Sequence, residues 1–298
     1  MWTIIFFDIQ PRLTMKKFYS ICKKLICIEA DSFPGDNPQW AQFESEADKP
    51  DVNIRCEVRE PFPEMQGEVR GTANEFTVSV EGDSVYRARP MGNIDGVLVR
   101  YLNGSSECEA YFTPQSFPIM MDNRYMWSSV SLAQMLLPQN AFFLHSSFIS
   151  VGGKAVLFSA PCGTGKSTQA ALWEKHLQAE IINGDKAGLL VENGVYACGV
   201  PFCGTSRICK NRILPLGAIV LLGQSTENKI SRLTGIRALQ GILQNVYLDF
   251  LAPNEQLRIF DLLIKLLETV PVYSFECTPD KTAVDTLANA LIDGGVIE

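Results

Sequence analysis

The stretch with the clearest chemistry reads Gly-Thr-Gly-Lys-Ser-Thr over residues 163–168. Small residues let a loop backbone approach a phosphate closely, and a lysine followed by a hydroxyl supplies a positive charge and a magnesium ligand. This pattern is typical of a phosphate-binding loop. Lys166 is expected to hold the β- and γ-phosphates of a nucleotide, and the Ser167 hydroxyl to ligate Mg²⁺. The predicted nucleotide-binding residues are Pro161, Cys162, Gly163, Thr164, Gly165, Lys166, Ser167 and Thr168.

The elements that must position this loop are a strand before it and a helix after it. An apolar run over 155–158 predicts a buried strand, and a helix is predicted to begin at Lys166, with its positive dipole end directed at the anion. Ala160 stands where the strict pattern has its first glycine, a difference of one methyl group. The alternative interpretation is a glycine-rich turn before an ordinary helix.

The strand before the loop has an informative neighbour. A strand is predicted over 142–150, followed by a turn at 151–153 and the loop-bearing strand over 154–159. Strands joined by so short a turn are antiparallel, whereas a doubly wound sheet reaches a parallel neighbour through a helix. The sequence therefore predicts an α/β core with a mixed sheet.

Two further positions carry candidate chemistry. Asp185 follows a short predicted strand over 180–182, where a carboxylate suits either Mg²⁺ ligation or acceptance of a hydroxyl proton. The loop over 204–212 places three cations close together, and Arg207 is the preferred candidate to clamp a phosphate or an anionic acceptor, with Lys210 next. The alternatives are a turn-forming aspartate and solvated loop charges. Gln224, at a strand end, is a further candidate contact to the nucleotide.

The N-terminal part is predicted to be a small antiparallel β-rich domain. A helix is predicted over 16–28, and a second over 122–136 with Asp122 as its N-cap, bridging two domains. The predicted domains are 1–138, β-rich, and 139–298, which binds the nucleotide. The strands predicted in the first part cover 75–80, 85–88, 97–102 and 108–112. In the second part, helices are predicted over 236–250 and 255–267, a strand over 272–277, and a last helix capped by Thr278.

Composition excludes several classes of protein. The net charge of −7 argues against a nucleic-acid partner. Nine cysteines without a Cys-x-x-Cys pair do not form a disulfide framework, and they fit reduced thiols in the cytoplasm. No apolar stretch approaches the length of a membrane span, so neither a membrane partner nor a membrane location is expected.

The run from His145 to Gln224 resembles the catalytic domain of HPr kinase/phosphorylase and its relatives in the phosphoenolpyruvate carboxykinase-like superfamily. The resemblance rests on a Leu-His pair before the loop, a Gly-Gly hairpin, the phosphate loop, and a strand that ends in an acidic residue. It covers about 80 residues well and the C-terminal tail weakly. More closely, the chain looks like stand-alone bacterial HPr-kinase-like proteins with a β-rich N-terminal part.

The resemblance implies roles for individual residues. It places Lys166 on the phosphates, Ser167 on Mg²⁺, Asp185 near the metal and the acceptor hydroxyl, and His145 near the transferred phosphate. A half-buried structural histidine is the alternative for His145. HPr kinase has two adjacent aspartates where this chain has Gly184 and Asp185, so one carboxylate does the work of two or another residue contributes.

The predicted function is an ATP- and Mg²⁺-dependent kinase. It would transfer the γ-phosphoryl group to a hydroxyl, most plausibly a serine of a protein or peptide, or a small molecule. The resemblance also implies a homo-oligomer. The alternatives are a nucleotide-binding regulator with little chemistry and, less favoured, a carboxykinase-type reaction.

Overall fold

The computed structural model describes residues 14–33, 38–122, 125–202 and 204–298. Within these residues the strands form two eight-stranded sheets, one from each half of the chain. The first sheet contains Met15–Ile21 (β1), Lys24–Ala30 (β2), Val52–Val58 (β3), Glu68–Ala73 (β4), Phe76–Glu81 (β5), Ser84–Met91 (β6), Ile94–Leu102 (β7) and Glu107–Phe112 (β8). The strand order is β1-β2-β3-β8-β7-β6-β5-β4.

The first sheet departs from the predicted antiparallel arrangement at one strand. β3 runs parallel to both β2 and β8, while the other neighbours are antiparallel. The predicted strands over 75–80, 85–88, 97–102 and 108–112 correspond to β5–β8. The sheet is therefore mixed, because the long connection after β2 returns the chain in the same direction.

The helix predicted over 16–28 is wrong, because this segment forms the β1–β2 hairpin. Cys22 and Lys23 have φ angles of 54° and 58°, which suit a two-residue turn with the twist of the flanking strands. The fully buried residues alternate in β2, where they are Ile26, Ile28 and Ala30. A period of two, rather than a helical period, thus describes the segment.

The predicted bridging helix over 122–136 is interrupted. The segment contains Met126–Ser129 (α3) and Leu132–Leu136 (α4), separated by Ser131 in the left-handed region with φ 54°. Tyr125, not Asp122, precedes the first turn, and residues 123 and 124 lie outside the described residues. The Ser131 hydroxyl accepts a hydrogen bond from the buried Arg87 Nε at 3.1 Å, which fixes the break in place.

Two short helices precede α3 and α4, Pro38–Ala41 (α1) and Phe117–Met120 (α2), and a 3₁₀ turn follows at Leu137–Gln139.

The second sheet is built around two long strands. It contains Ala141–Val151 (β9), Lys154–Ser159 (β10), Glu180–Asn183 (β11), Lys186–Val191 (β12), Val195–Cys198 (β13), Ile213–Gln224 (β14), Lys229–Leu233 (β15) and Val272–Cys277 (β16). The first part of β9 pairs with β12, and the first part of β14 pairs with β13. The later parts of β9 and β14 lie on either side of β10. β10 is antiparallel to β9 and parallel to β14, so the predicted mixed sheet is confirmed.

Four longer helices cover the second sheet: Lys166–Leu177 (α5), Gly235–Leu243 (α6), Pro253–Thr269 (α7) and Lys281–Asp293 (α8). α6 ends earlier than predicted, and residues 244–252 continue without regular structure. The cap of α8 is Asp280 rather than Thr278, since its carboxylate accepts a hydrogen bond from the Thr282 N–H at 2.8 Å. No helix among the described residues is long and apolar enough to cross a bilayer.

The apolar core does not divide at the predicted boundary between residues 138 and 139. One buried cluster joins residues of the first sheet, such as Ile54 and Phe112, to Phe143, Leu190 and Ala252 of the second half. The division into two domains stays a prediction. Among the described residues, seven cysteines are free and six of these are buried, while Cys209 is disulfide-bonded, which departs from the expectation of wholly reduced thiols.

Candidate phosphate-binding site

The predicted phosphate loop lies between β10 and α5, as expected. Gly163 and Gly165 have φ angles of 81° and 112°, a region that glycine adopts without the strain of a side chain. A Cβ built at either position would meet nothing within 4 Å, so the space above the loop is open. Helix α5 begins directly after Gly165, and its first N–H groups have no acceptor within the helix. The loop thus has the backbone geometry of an anion cradle.

Ala160 does not obstruct this cradle. The residue is 2% exposed, and its side chain belongs to the buried cluster that contains Phe158 and Trp173. The methyl group that departs from the strict motif therefore packs into the core beneath the loop. It therefore does not project into the space above the loop.

Lys166 is held against the loop. Its Nζ donates to the carbonyl oxygens of Ala160 at 2.8 Å and Pro161 at 3.0 Å, and the residue is 7% exposed. Burial lowers the pKa of Lys166, while Cys162 and Asp185 oppose the shift. An incoming phosphate would replace these carbonyl oxygens as the hydrogen-bond acceptors of Lys166 Nζ, and its oxygens carry more negative charge. Ser167 and Thr168 lie exposed at the start of α5, where their hydroxyls face solvent.

A second group of charged side chains forms from β9 and β12. His145 and Lys186 are partners in the register of these strands, and Asp185 directly precedes Lys186. Asp185 Oδ2 lies 2.5 Å from Lys186 Nζ, and Oδ1 lies 3.8 Å from His145 Nδ1. Burial, followed by the charge of Lys166, lowers the pKa of His145, and Asp185 opposes this. The environment of His145 therefore favours the neutral imidazole.

The structure brings Lys166, His145 and Asp185 within electrostatic range of one another, since each of the other two contributes to the pKa of His145. Two residues of this group were missed by the sequence analysis. Lys186 lies over the rings of Phe202 and Tyr247, at 5.3 Å and 4.9 Å from their centroids. The sequence signal for Lys186 was its position directly after Asp185, the predicted acid.

Asn183 is the second missed residue, and it shapes the turn that presents Asp185. It is fully buried, and its Oδ1 accepts hydrogen bonds from the N–H groups of Asp185 at 2.9 Å and Lys186 at 3.1 Å. Its Nδ2 donates to the carbonyls of Val200 and Phe202, both at 2.9 Å. The Asn-Gly-Asp sequence is a signal for such an Asx turn.

Gly184, which stands in place of the first of the two aspartates that the resemblance implies, has a neighbour packed against it. A Cβ built on Gly184 would lie 2.8 Å from Ser206 Cβ and closer still to its hydroxyl. Gly204 similarly approaches Asp185, since a Cβ there would lie 2.7 Å from Asp185 Cβ. The loop over 204–206 therefore covers the turn, and both glycines permit that contact.

The other predicted cations are placed differently from expectation. Lys210 and Arg212 pair with Glu180, at 2.9 Å and 3.3 Å, so Lys210 is directed at a carboxylate of β11. Arg207 is exposed with φ 55°, and its carbonyl accepts a hydrogen bond from Gln39 at 3.3 Å. Within the described residues, no hydrogen bond or ion pair joins the Arg207 side chain to the phosphate loop. Its proposed contact with phosphate stays a prediction.

A cleft of about 390 Å³ adjoins the loop on the side of β14 and β16. It is lined by loop residues and by Gln224 and Thr278, among others, and Gln224 Nε2 donates to the Gly163 carbonyl at 3.2 Å. Gln169, which sequence reasoning missed, is buried at its wall and donates to the Thr278 carbonyl at 3.2 Å. The cleft offers space for a nucleoside attached to phosphates in the loop.

No group of three acidic, histidine or cysteine side chains among the described residues is arranged to hold a metal ion. Mg²⁺ in phosphoryl-transfer sites takes only one or two protein ligands and completes its shell with phosphate oxygens and water. The hydroxyl of Ser167 and the carboxylate of Asp185 are hard oxygen ligands of the type Mg²⁺ prefers. The donor set therefore fits a nucleotide-bound Mg²⁺.

Comparisons with known proteins show no family for this chain. No protein-family model matches it, and no curated protein matches it. Among solved structures, the Hpr(Ser) kinase/phosphatase from Coxiella burnetii is similar at 14% identity, over 51% of this chain and 89% of that chain, with a TM-score of 0.30. A TM-score of this size does not establish a shared fold.

Proposed function

We propose that this protein is a nucleotide-dependent phosphotransferase that moves the γ-phosphoryl group of ATP to a hydroxyl. The observation that supports it is the approach of Lys166, on an open glycine-containing loop, to His145 and Asp185 on neighbouring elements. Phosphoryl transfer needs positioning and charge neutralisation more than covalent chemistry. A lysine, a carboxylate and a neutral imidazole around one loop supply both.

Each residue has a distinct role in this proposal. Loop amides and Lys166 bind the phosphates, and the cleft beside Gln224 holds the nucleoside. The oxygen of the acceptor hydroxyl attacks the γ-phosphorus, and the proton of that hydroxyl passes to Asp185. The bond between the γ-phosphorus and the bridging oxygen breaks, and ADP is released. His145 donates a hydrogen bond to the transferred group. Lys186 holds Asp185 in place through their ion pair.

Ser167 and Asp185 would hold Mg²⁺, which when bound neutralises charge on the phosphate oxygens. The acceptor is proposed to be a serine of a protein or peptide, or a small molecule. Association into a homo-oligomer and Arg207 as a clamp for the acceptor remain part of the same proposal. Neither nucleic acid nor membrane is proposed as a partner.

A second candidate, a nucleotide-binding regulator with little chemistry, is favoured by one observation. Ser206 packs over Gly184, so the expected second carboxylate is replaced by a hydroxyl. A hydroxyl does not ligate Mg²⁺ as strongly as a carboxylate or accept a proton at neutral pH. In this case nucleotide binding would change the affinity for a partner without turnover.

The test combines calorimetry of ATP binding in Mg²⁺ with ³¹P NMR of the same samples over time. Wild type should bind ATP and release ADP slowly with water as acceptor, and Lys166→Ala should lose binding. Lys175→Ala, at an exposed position of the same helix, should retain both. Asp185→Asn should bind ATP but lose turnover. Binding that does not depend on Lys166 would refute both candidates, and binding without turnover would favour the regulator.

A further inference from the structure

A buried carboxyl group lies far along the chain from the phosphate loop. Glu255 stands in the first turn of α7 and is 5% exposed. Its Oε1 accepts a hydrogen bond from the Tyr101 hydroxyl at 2.6 Å, while Oε2 has no hydrogen-bond partner among the described residues. An unpaired acceptor in the interior costs free energy, and a donor that reached it would recover that cost.

The charges around Glu255 leave it without a cation of its own. Arg87, 3% exposed, forms an ion pair with Asp249 and also donates to Ser131. Two buried carboxyl groups thus share one guanidinium. Burial, followed by the charge of Asp249, raises the pKa of Glu255 to about 7, against the opposing effects of the Tyr101 hydrogen bond and Arg87. A further positive charge would therefore favour the ionised form.

Glu255 and Tyr101 form part of the wall of a cleft of about 380 Å³. The cleft lies between the β7–β8 turn, the segment around residue 137 and the N-terminal half of α7. Leu137, Pro138 and Leu257 supply apolar surface, and Asp261 adds a second acidic group. Arg258, the cation in the lining, hydrogen-bonds to Asn140 Oδ1. The cleft therefore combines apolar walls with an excess of acidic groups.

We propose that this cleft binds a small organic cation, a primary ammonium attached to an apolar group. The ammonium N–H groups donate to the Glu255 carboxylate, whose Oε2 is covered in this structure and turns toward the cleft to accept them. The apolar group packs against Leu137 and Leu257. An anion is disfavoured here, because the lining places Glu255 and Asp261 against one cation, Arg258. This inference does not depend on the proposed phosphotransferase activity.

The test uses benzylammonium and benzyl alcohol, which have the same shape and differ in charge. Calorimetric titration of the full chain at pH 8 should give at least about tenfold tighter binding of benzylammonium, as expected for hydrogen bonds to a charged group. The affinity for benzylammonium should fall between pH 8 and pH 5.5, where Glu255 takes up a proton. Benzyl alcohol should show no such pH dependence.

Two variants make the result specific to this cleft. Glu255→Gln should bring the affinities for benzylammonium and benzyl alcohol within about twofold of each other. Glu268→Gln, at an exposed position of the same helix, should leave the preference for benzylammonium unchanged. Leu257→Trp alters a side chain that is 68% exposed at the cleft, so it leaves folding intact while blocking entry of both compounds. Equal affinities in wild type, a preference that survives in Glu255→Gln, or binding unaffected by Leu257→Trp would each overturn the proposal.

Discussion

Replacing Glu255 by glutamine should remove a pH dependence from the stability of the protein. The pKa of Glu255 is raised from its ordinary value of 4.5 to about 7, chiefly by burial. The folded chain therefore binds a proton that the unfolded chain has released at intermediate pH. Since stability falls with pH wherever the folded state binds more protons, this residue makes wild type progressively less stable as pH rises from 4.5 to 7.

The magnitude follows from the same two pKa values. One proton difference changes the free energy of unfolding by about 1.4 kcal/mol per pH unit, so the interval of about 2.5 units gives about 3 kcal/mol. Glutamine is neutral at every pH and keeps an oxygen that accepts the Tyr101 hydroxyl. The Glu255→Gln variant should accordingly match wild type near pH 4.5 and exceed its stability by up to about 3 kcal/mol above pH 7.

Urea unfolding at pH 5, 6, 7 and 8 would measure this difference, with no added amine in the buffer. Other titrating groups cancel in the comparison of variant with wild type. Glu268→Gln provides the control, because an exposed carboxyl on the same helix should leave the pH profile of wild type unchanged. Parallel stability profiles for wild type and Glu255→Gln would show that the carboxyl is already ionised in the fold, and the reasoning would fail.

Three further predictions test the site and its support. Trp173→Ala, in the core beneath the phosphate loop, should lower the free energy of unfolding in urea by about 3–5 kcal/mol, because it leaves a large cavity. Gly184→Ala should cost about 1–3 kcal/mol in the same assay, and Ser206→Gly in the same chain should recover most of it, since the added Cβ meets that side chain. NMR titration of His145 should give a pKa below 6.5, and Lys166→Met should raise it by removing a nearby positive charge.

The parts of the fold that were predicted correctly depend on local signals. The Gly-Gly turn after residue 151 dictates an antiparallel pair, and the glycine loop before Lys166 dictates a helix start, so the surroundings of the phosphate loop followed from the sequence. The incorrect helix over 16–28 shows the limit of periodicity. Its apolar residues fit both a helical and an alternating pattern, and the hairpin is decided by pairing with β3, which is distant in sequence.

The interrupted segment around Ser131 has a similar cause. Arg87, from β6, reaches Ser131 and stabilises a left-handed residue that local propensity disfavours. No pattern within 122–136 contains that information. In the site, likewise, Lys166 and Asp185 were predicted from the sequence, and Asn-Gly-Asp signals the turn, but the bonds of the Asn183 amide to the distant carbonyls of Val200 and Phe202 have no local signal.

The two sheets are joined through the segment that follows α6. The Asn245 carbonyl accepts a hydrogen bond from the His145 N–H at 2.8 Å, Tyr247 lies against Lys186, and Asp249 pairs with Arg87 of the first sheet. Ten residues after Asn245, the chain reaches Glu255. This segment of irregular backbone therefore contacts the candidate phosphate-binding site, the first sheet and the cleft lined by Glu255 in turn. The Asn245 carbonyl and the Tyr247 N–H pair with β9, and Asp249 pairs with Arg87, so this segment links the backbone of His145 to the first sheet.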